Sequence, residues 1–392
     1  MEFSQSQIQE ILTDAIESKG LNTLLETMLN CLMKIERKSF LAEQKNPSNK
    51  ANGYRIGTTI GFQRQLKFSI PRDRLGHFYP VILAIIRNQE EELSKLAFNL
   101  YSKGLSTRDV SDVFNDLYGN KYSKSSISRM NQEFLEEAES WRNRVIEDNY
   151  PVIQIDALHS KVRRKNTIET EATYIVMGLK DDFTRDIIAI EQIPTESASG
   201  WVSLFEKLKK RGLKKVKLVI SDSLSGIENA VQKSFKNASL QKCIVHLKRN
   251  MLNRVRHSDK KELAEDLSKV FVVGDPSYTK EKALEKFNQT MLKWSGYSSY
   301  FKNIQKDINA LNYFTYLEFD YRIQNMIYTT NWIENLNKQF RRVLKIRNSM
   351  PTEESLLLLI TKVAMDRSIK YNKYPIYNFK FDKKLFDEKI NR

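Results

Sequence analysis

Val152-Ile153-Gln154-Ile155-Asp156 opens the run of extended segments that sets the fold class of this chain. Residues dominated by β-branched side chains lead into an acid, and a charge at a strand end needs water, a partner or a metal to face. Working outward, Ala172 to Gly178 and Arg185 to Gln192 carry the same strand character, and the three runs suit a meander. Ser199 to Arg211 then reads as a helix, Val216 to Ser221 as a fourth strand, Gly226 to Phe235 as a helix and Leu240 to Val245 as a fifth strand.

By analogy at the level of the fold, the order βββαβαβ is that of a ribonuclease H-like fold, so an α/β ribonuclease H-like catalytic domain is expected. From His246 to about Tyr328 the chain is mostly helical in pattern, which reads as a helical insertion, and Glu353 to Tyr371 adds a helix before an aromatic, basic tail. Upstream, Ile8, Leu12, Ile16, Leu21, Leu25 and Met28 recur at helical spacing. Asn52 to His77 switches to short extended pieces punctuated by Gly53, Gly57, Gly61 and Pro71. Glu90 to Tyr101 predicts a helix, Ser106 caps a second that runs to Leu117, Tyr118-Gly119-Asn120 makes a turn, and Ser123 or Ser125 caps a third reaching about Arg144. That is a helix-turn-helix pattern, although any small helical bundle shows caps and turns at such spacing. The expected division is 1–45 as an N-terminal helical region, 46–88 as a small β unit, 89–148 as a helix-turn-helix DNA-binding region, 149–246 with 326–350 as the catalytic core, 247–325 as the insertion and 351–392 as a C-terminal helix and tail.

A length of 392 residues agrees with several domains, because one hydrophobic core stops growing at roughly 250 to 300 residues. The net charge of +16 favours a polyanionic partner. A membrane is the weaker choice: the longest apolar runs, Pro80 to Ile86 and Leu356 to Ile360, fall far short of the ~20 residues that span a bilayer. Met1 to Ser18 is polar and acidic, unlike a secretory signal, so the expected address is cytoplasmic, at the nucleoid when DNA is bound. Cys31 and Cys243 are the two cysteines; they form no CxxC pair, and a reducing compartment disfavours a disulfide between them.

Phosphodiester chemistry with two metal ions needs several carboxylates converging on cations roughly 4 Å apart. Asp156 and Asp222 each follow a strand, on the first and fourth strands of the expected sheet, although a strand-end Asp commonly just caps a turn. Glu334 has two readings. In Asn331-Trp332-Ile333-Glu334 it completes a capping box, with Asn331 as the cap. Alternatively it heads a stripe about 60° wide with Lys338, Arg341 and Lys345, opposite Trp332, Leu336, Phe340 and Val343. A solvated face explains that stripe equally well. Basic stretches also run from Lys207 to Lys217, Lys248 to Arg256 and Lys338 to Arg347, and together they suit a channel that tracks phosphates.

Asp156-Ala157-Leu158-His159 with Arg163, Ile220-Ser221-Asp222 through Gly226, Gln241-Lys242-Cys243-Ile244-Val245-His246 with Arg249-Asn250, and Tyr328-Thr329-Thr330-Asn331-Trp332-Ile333-Glu334 closely resemble successive motifs of the bacterial Mutator-like insertion-sequence transposases. Asn52-Gly53-Tyr54, Pro71-Arg72-Asp73-Arg74 and Leu105-Ser106-Thr107-Arg108 extend the likeness over nearly the whole chain. The resemblance implies a DDE transposase, with Asp156, Asp222 and Glu334 as catalytic metal ligands for two Mg²⁺ ions, Mn²⁺ being a substitute. It further implies cleavage by water, attack of the freed 3′-hydroxyl on a second phosphodiester, and excision through a circular intermediate. The implied partners are double-stranded DNA, as terminal inverted repeats and as target, and further copies of the chain assembled on that DNA.

The resemblance also carries a Cys-x-x-His signature, matched by Cys243 and His246. A structural zinc needs about four ligands and no second pair is at hand, which favours a packed Cys243 with His246 bonding near the site or contacting DNA. His159 reads as an exposed turn residue. Ser223 stands where the family commonly has Gly, and Lys236 where Pro is usual. For DNA contact the candidates are Arg129 and Gln132 on the recognition helix, which suit guanine and adenine edges, and Lys248, Arg249, Lys338, Arg341 and Lys345 for phosphates. Two alternatives stay open: a ribonuclease H-like structure-specific nuclease, and an inactive transposase-derived DNA-binding regulator.

Overall fold

The computed structural model describes residues 21–44, 48–60, 65–118, 122–132, 134–164, 167–193, 197–306 and 308–386, together with Gln5, Gln9 and Thr13. The expected helical stripe through Ile8, Leu12 and Ile16 and the turn at Gly119 and Asn120 lie outside the described residues. The chain forms two compact units, Met1–Glu136 and Glu137–Arg392. No helix among the described residues is long and apolar enough to cross a membrane.

In the first unit, α1 (Leu21–Glu43) lies on an antiparallel hairpin of β1 (Ala51–Ile60) and β2 (Gln65–Asp73). Alternation in β2 buries Leu66, Phe68 and Ile70 against Met33 and Leu83. α2 (Val81–Ser102) begins well before the expected Glu90. Pro80 sets φ at −62° and forms its N-cap, while the Val81 amide donates to Glu36 Oε2 at 3.0 Å. α3 (Thr107–Tyr118) starts with a reciprocal box, the Asp109 amide donating to Ser106 Oγ at 3.2 Å and the Ser106 amide to Asp109 Oδ2 at 2.7 Å. α4 (Lys124–Gln132) is capped by Ser123, whose Oγ accepts from the Ser126 amide at 3.1 Å. Asn115 ties the two helices, accepting from the Tyr122 amide at 2.8 Å and donating to its carbonyl at 3.0 Å. The helix expected to reach Arg144 instead ends at Gln132, and a separate helix α5 (Leu135–Asn143) follows, most of it within the second unit. The break sits where the Phe134 ring stacks flat on Phe98, centroids 4.1 Å apart.

The second unit is built on a five-stranded mixed sheet of β3 (Val152–Arg164), β4 (Thr167–Leu179), β5 (Arg185–Gln192), β6 (Leu218–Ser221) and β7 (Ser239–Lys242), in the order β5-β4-β3-β6-β7. β3, β4 and β5 pair antiparallel, whereas β6 pairs parallel to both β3 and β7. One face carries Ile153, Ile155, Tyr174, Val176 and Val219, buried against Trp201, Leu204, Phe205 and Leu208 of α6 (Ala198–Lys210) and Ile227, Ala230 and Val231 of α7 (Ile227–Ser234). Lys207, Lys209 and Lys214 from the first basic stretch are ion-paired with Glu191, Glu206 and Asp148, so these three cations are already partnered within the fold.

Two strand boundaries correct the expectation. β3 does not end at Asp156 but continues to Arg164, because β4 supplies an antiparallel partner for every residue through the Arg164–Thr167 pair. The fifth strand stops at Lys242: Cys243 is the N-cap of α8 (Ile244–Leu252), and the Ile244 amide leaves the sheet to donate to the Tyr328 carbonyl at 3.0 Å. Beyond α8 come α9 (Lys260–Val270), α10 (Lys280–Trp294), α11 (Ser299–Lys306) and the short α12 (Gln324–Ile327). α13 (Asn331–Lys345) then returns to the sheet, and α14 (Glu353–Tyr371) follows with the bounds expected from the sequence. Trp201, Trp294 and Trp332 are all buried, as core residues.

Candidate active site

Register places the first two acids. Ile155 of β3 pairs with Ser221 of β6, and Ser221 with Lys242 of β7, so the residues that directly follow these three, Asp156 within β3, Asp222 after β6 and Cys243 after β7, come out side by side. Equivalent positions on parallel strands point to the same face, the one opposite α6 and α7. The chain after Asp222 is locked by local bonds: the Ser223 amide donates to Asp222 Oδ1 at 2.7 Å, and Ser223 Oγ lies 2.7 Å from Tyr313 Oη. Serine at this position therefore contributes a side-chain contact that glycine lacks. Gly226, at φ 76°, closes the turn where a Cβ would sit 2.5 Å from the Ala198 amide nitrogen.

The third acid arrives on α13, which is held to β3 at both ends. At its start, Gln154 Nε2 donates to the Thr329 carbonyl at 3.3 Å. At its far end, the Met350 amide donates to the Lys161 carbonyl at 2.8 Å and the Arg163 amide to the Met350 carbonyl at 2.9 Å. The capping-box reading of Glu334 does not hold. Thr330, not Asn331, is the N-cap, which moves Glu334 one position too far along the helix, and its amide donates to the Thr330 carbonyl at 2.9 Å. The Thr330 hydroxyl turns instead to Cys243, donating to Sγ at 3.4 Å, while Cys243 Sγ donates to Thr329 Oγ1 at 3.6 Å. Glu334 Oε1 is left buried without a hydrogen-bond partner.

Asp156, Asp222, His246 and Glu334 line a cleft of about 350 Å³ whose wall also includes Arg249, Lys338 and Arg341. His246 stands between two of the acids, with Nδ1 3.9 Å from Asp222 Oδ2 and Nε2 3.8 Å from Glu334 Oε1. Contact with Cys243, reinforced by the charges of Asp222 and Asp156, pushes the His246 pKa up to about 9 against the effect of burial. Burial opposes ionisation of Cys243, but contact with His246 and the Thr330 hydroxyl brings its pKa below that of an ordinary thiol. Burial raises the Asp156 carboxyl, with Asp222 adding to it, against His246, the Ala157 amide and Asn337.

Asn337 escaped the sequence reading. It is fully buried one turn after Glu334, and its Nδ2 donates to Asp156 Oδ2 at 2.8 Å. The signal was a polar amide on the apolar side of α13, between Leu336 and the Glu334 stripe. Lys345 lines a neighbouring cleft of about 360 Å³ with His159, Lys161, Arg341 and Arg347. His159 is an exposed strand residue, not a turn residue, and borders both clefts. Lys248 is not among the lining residues of either cleft; it is half-buried, with Nζ 5.5 Å from the Phe271 ring centroid. Arg129 and Gln132 are exposed on α4 in the other unit.

A family model described as "Transposase, Mutator family" matches residues 2–373. The chain belongs to the Mutator family of transposases. Among curated relatives, it is 30% identical over 381 residues to the transposase for insertion sequence element IS256 in transposon Tn4001 of Staphylococcus aureus, covering 93% of this chain and 94% of the relative. It is 29% identical over 357 residues to the transposase for insertion sequence element IS905 of Lactococcus lactis subsp. lactis (strain IL1403), covering 89% of each. Among solved structures, it is similar to the Drosophila P element transposase strand transfer complex, at 12% identity and a TM-score of 0.30 over 76% of this chain and 84% of that one.

Proposed function

We propose that this Mutator-family transposase cuts DNA at the ends of an insertion sequence and joins the freed 3′ ends to a second DNA, in a ribonuclease H-like domain that uses Mg²⁺. The observation that carries the reading is the convergence of Asp156, Asp222 and Glu334 on one cleft, with Arg249, Lys338 and Arg341 around it. The mixed sheet order, three antiparallel strands followed by two parallel ones with the acids at the β3–β6 junction, supports the fold assignment.

The donor set fits a hard divalent cation. Mg²⁺ takes oxygen ligands, three carboxylates supply them, and a buried carboxylate oxygen without a partner, as at Glu334, calls for one. Asp156, Asp222 and Glu334 would hold the ions, which when bound supply Lewis-acid activation of the attacking oxygen and stabilise the leaving one. The chain's own part is positional. Asn337 fixes the Asp156 carboxylate, His246 separates Asp222 from Glu334, and the cations of the cleft wall hold phosphates in reach. α4 would read the terminal repeats through Arg129 and Gln132, with copies of the chain assembling on paired ends.

A strand-transfer assay with the element's own ends and Mg²⁺ tests the reading. Joined product is expected from the native chain and none from Asp156→Ala, Asp222→Ala or Glu334→Ala, each still binding the ends. Hydrolysis without joining would make the protein a nuclease, and binding without either reaction a regulator.

A further inference from the structure

The Cys-x-x-His pair has a third member that the sequence could not supply. Cys243 at the end of β7, His246 in the first turn of α8 and Glu334 in the first turn of α13 bring ligand atoms within 4.8 Å of one another. Two of those side chains offer buried atoms that nothing satisfies, Glu334 Oε1 and His246 Nδ1. The thiol is flanked by the hydroxyls of Thr329 and Thr330 at 3.6 and 3.4 Å, which can both turn to donate to a thiolate, as the outer partners of metal-bound sulfur do. Sulfur, nitrogen and oxygen together make a softer set than the carboxylates of Asp156 and Asp222. Three protein ligands with a position left for water is the ligand count of an exchangeable zinc site rather than of a closed structural one.

We propose that Cys243, His246 and Glu334 form a second cation site that selects Zn²⁺ and shares Glu334 with the carboxylate site. Binding forms bonds from the metal to Sγ, an imidazole nitrogen and a carboxylate oxygen, and the protons that the thiol and the imidazolium carry on the binding atoms are released to solvent. With its carboxylate engaged on that side, Glu334 is withdrawn from Mg²⁺, so Zn²⁺ antagonises catalysis. The antagonism rests on the function proposed above; the binding of zinc does not.

The test uses the full chain carrying Cys31→Ser, which leaves Cys243 as its single thiol. Co²⁺ is titrated as the probe, and the near-ultraviolet charge-transfer band of a thiolate–cobalt bond is read. One equivalent is expected to produce the band, Zn²⁺ to displace it, Cys243→Ser to abolish it, and His246→Asn to weaken Co²⁺ affinity by about tenfold or more. Zn²⁺ is also expected to slow alkylation of Cys243, a readout that needs no cobalt. If circular dichroism shows that Cys31→Ser unfolds, the native chain and its Cys243→Ser variant give the same comparison. No thiolate band, or a band that survives Cys243→Ser, overturns the inference. Asp156→Asn separates the two readings, because it is expected to lose strand transfer and keep the cobalt band. Joining activity without a band sinks the zinc site alone; a band without joining sinks the catalytic reading alone.

Discussion

Replacing Asn337 by Leu removes one hydrogen bond at the centre of the site while keeping the branching and heavy-atom count of a fully buried side chain. The lost bond is the 2.8 Å donation from Nδ2 to Asp156 Oδ2, charge-assisted when the carboxylate is ionised. Such bonds contribute about 1.5 to 3 kcal/mol, equivalent to roughly 10- to 150-fold in an equilibrium constant. Folding should lose part of that contribution, because Asp156 Oδ2 is left buried without its donor, offset in part by relief of Asn337 Oδ1, which is itself buried without a partner. The effect therefore falls on Asp156. Burial already raises its pKa, Asn337 counters this, and without the amide the proton is held more tightly still. The Mg²⁺ concentration giving half-maximal strand transfer should rise by about 10- to 100-fold, the rate should recover at high Mg²⁺, and the acid limb of the pH–rate profile should move upward. The assay is strand transfer against Mg²⁺ at several pH values, beside thermal melting. An unchanged Mg²⁺ requirement together with a lower melting temperature would refute the reasoning, making Asn337 a packing residue.

Lys338→Ala, Arg341→Ala and Lys345→Ala should each weaken DNA binding similarly on all sequences and reduce the salt slope by ~0.9; an unchanged slope in all three returns the stripe to plain solvent exposure. Arg129→Ala in the full chain should cost about 1 to 3 kcal/mol of preference for the terminal repeat over scrambled DNA, and equal loss on both would make Arg129 a phosphate contact. Gly226→Ala should destabilise the chain by about 1 to 3 kcal/mol in calorimetry, since φ is positive and the new Cβ meets the Ala198 backbone; a native melting temperature would contradict this. Burial raises the Asp73 carboxyl, but the Phe78 amide, the Asn49 side chain and the His77 amide outweigh it and leave the pKa lowered. Its stabilising effect is then present above the unfolded carboxylate range and lost as pH falls through the folded value, so the stability gap between native chain and Asp73→Asn should close on acidification; a gap constant with pH would be inconsistent with that shift.

The five strands, their flanking helices and α14 were legible because each buries a face with a regular period. The continuation of β3 was less so, since half of its partner is the polar run Thr167-Ile168-Glu169-Thr170-Glu171, which lacks a strand's usual apolar alternation. Asp222 could be recognised as a strand-end acid and Asp156 as an acid closing a β-branched run, although β3 continues past it; their adjacency is a property of parallel register, which no local pattern encodes. Glu334 was ambiguous because a capping box and a catalytic acid share a sequence, and only the one-residue shift of the cap to Thr330 separates them. Asn337 was hidden for a different reason: a neutral amide becomes informative only when a buried carboxylate is found beside it.

The long excursion between β7 and α13 leaves the sheet after Lys242, touches β7 again where Thr315 Oγ1 donates to the Leu240 carbonyl and the Tyr316 amide to Gln241 Oε1, and closes where the Ile244 amide meets the Tyr328 carbonyl and Cys243 meets Thr329 and Thr330. A segment stapled at its neck is thermodynamically a closed ring, and doubling such a ring costs only about 0.6 kcal/mol of closure entropy. The stretch between α8 and Tyr313 can thus lengthen or shorten at small entropic cost, whereas Tyr313, Thr315 and Tyr316 are tied to Ser223 and β7. Tyr328 to Thr330 have no such freedom, because a single inserted residue there would turn α13 by about 100° and carry Glu334 away from the cleft.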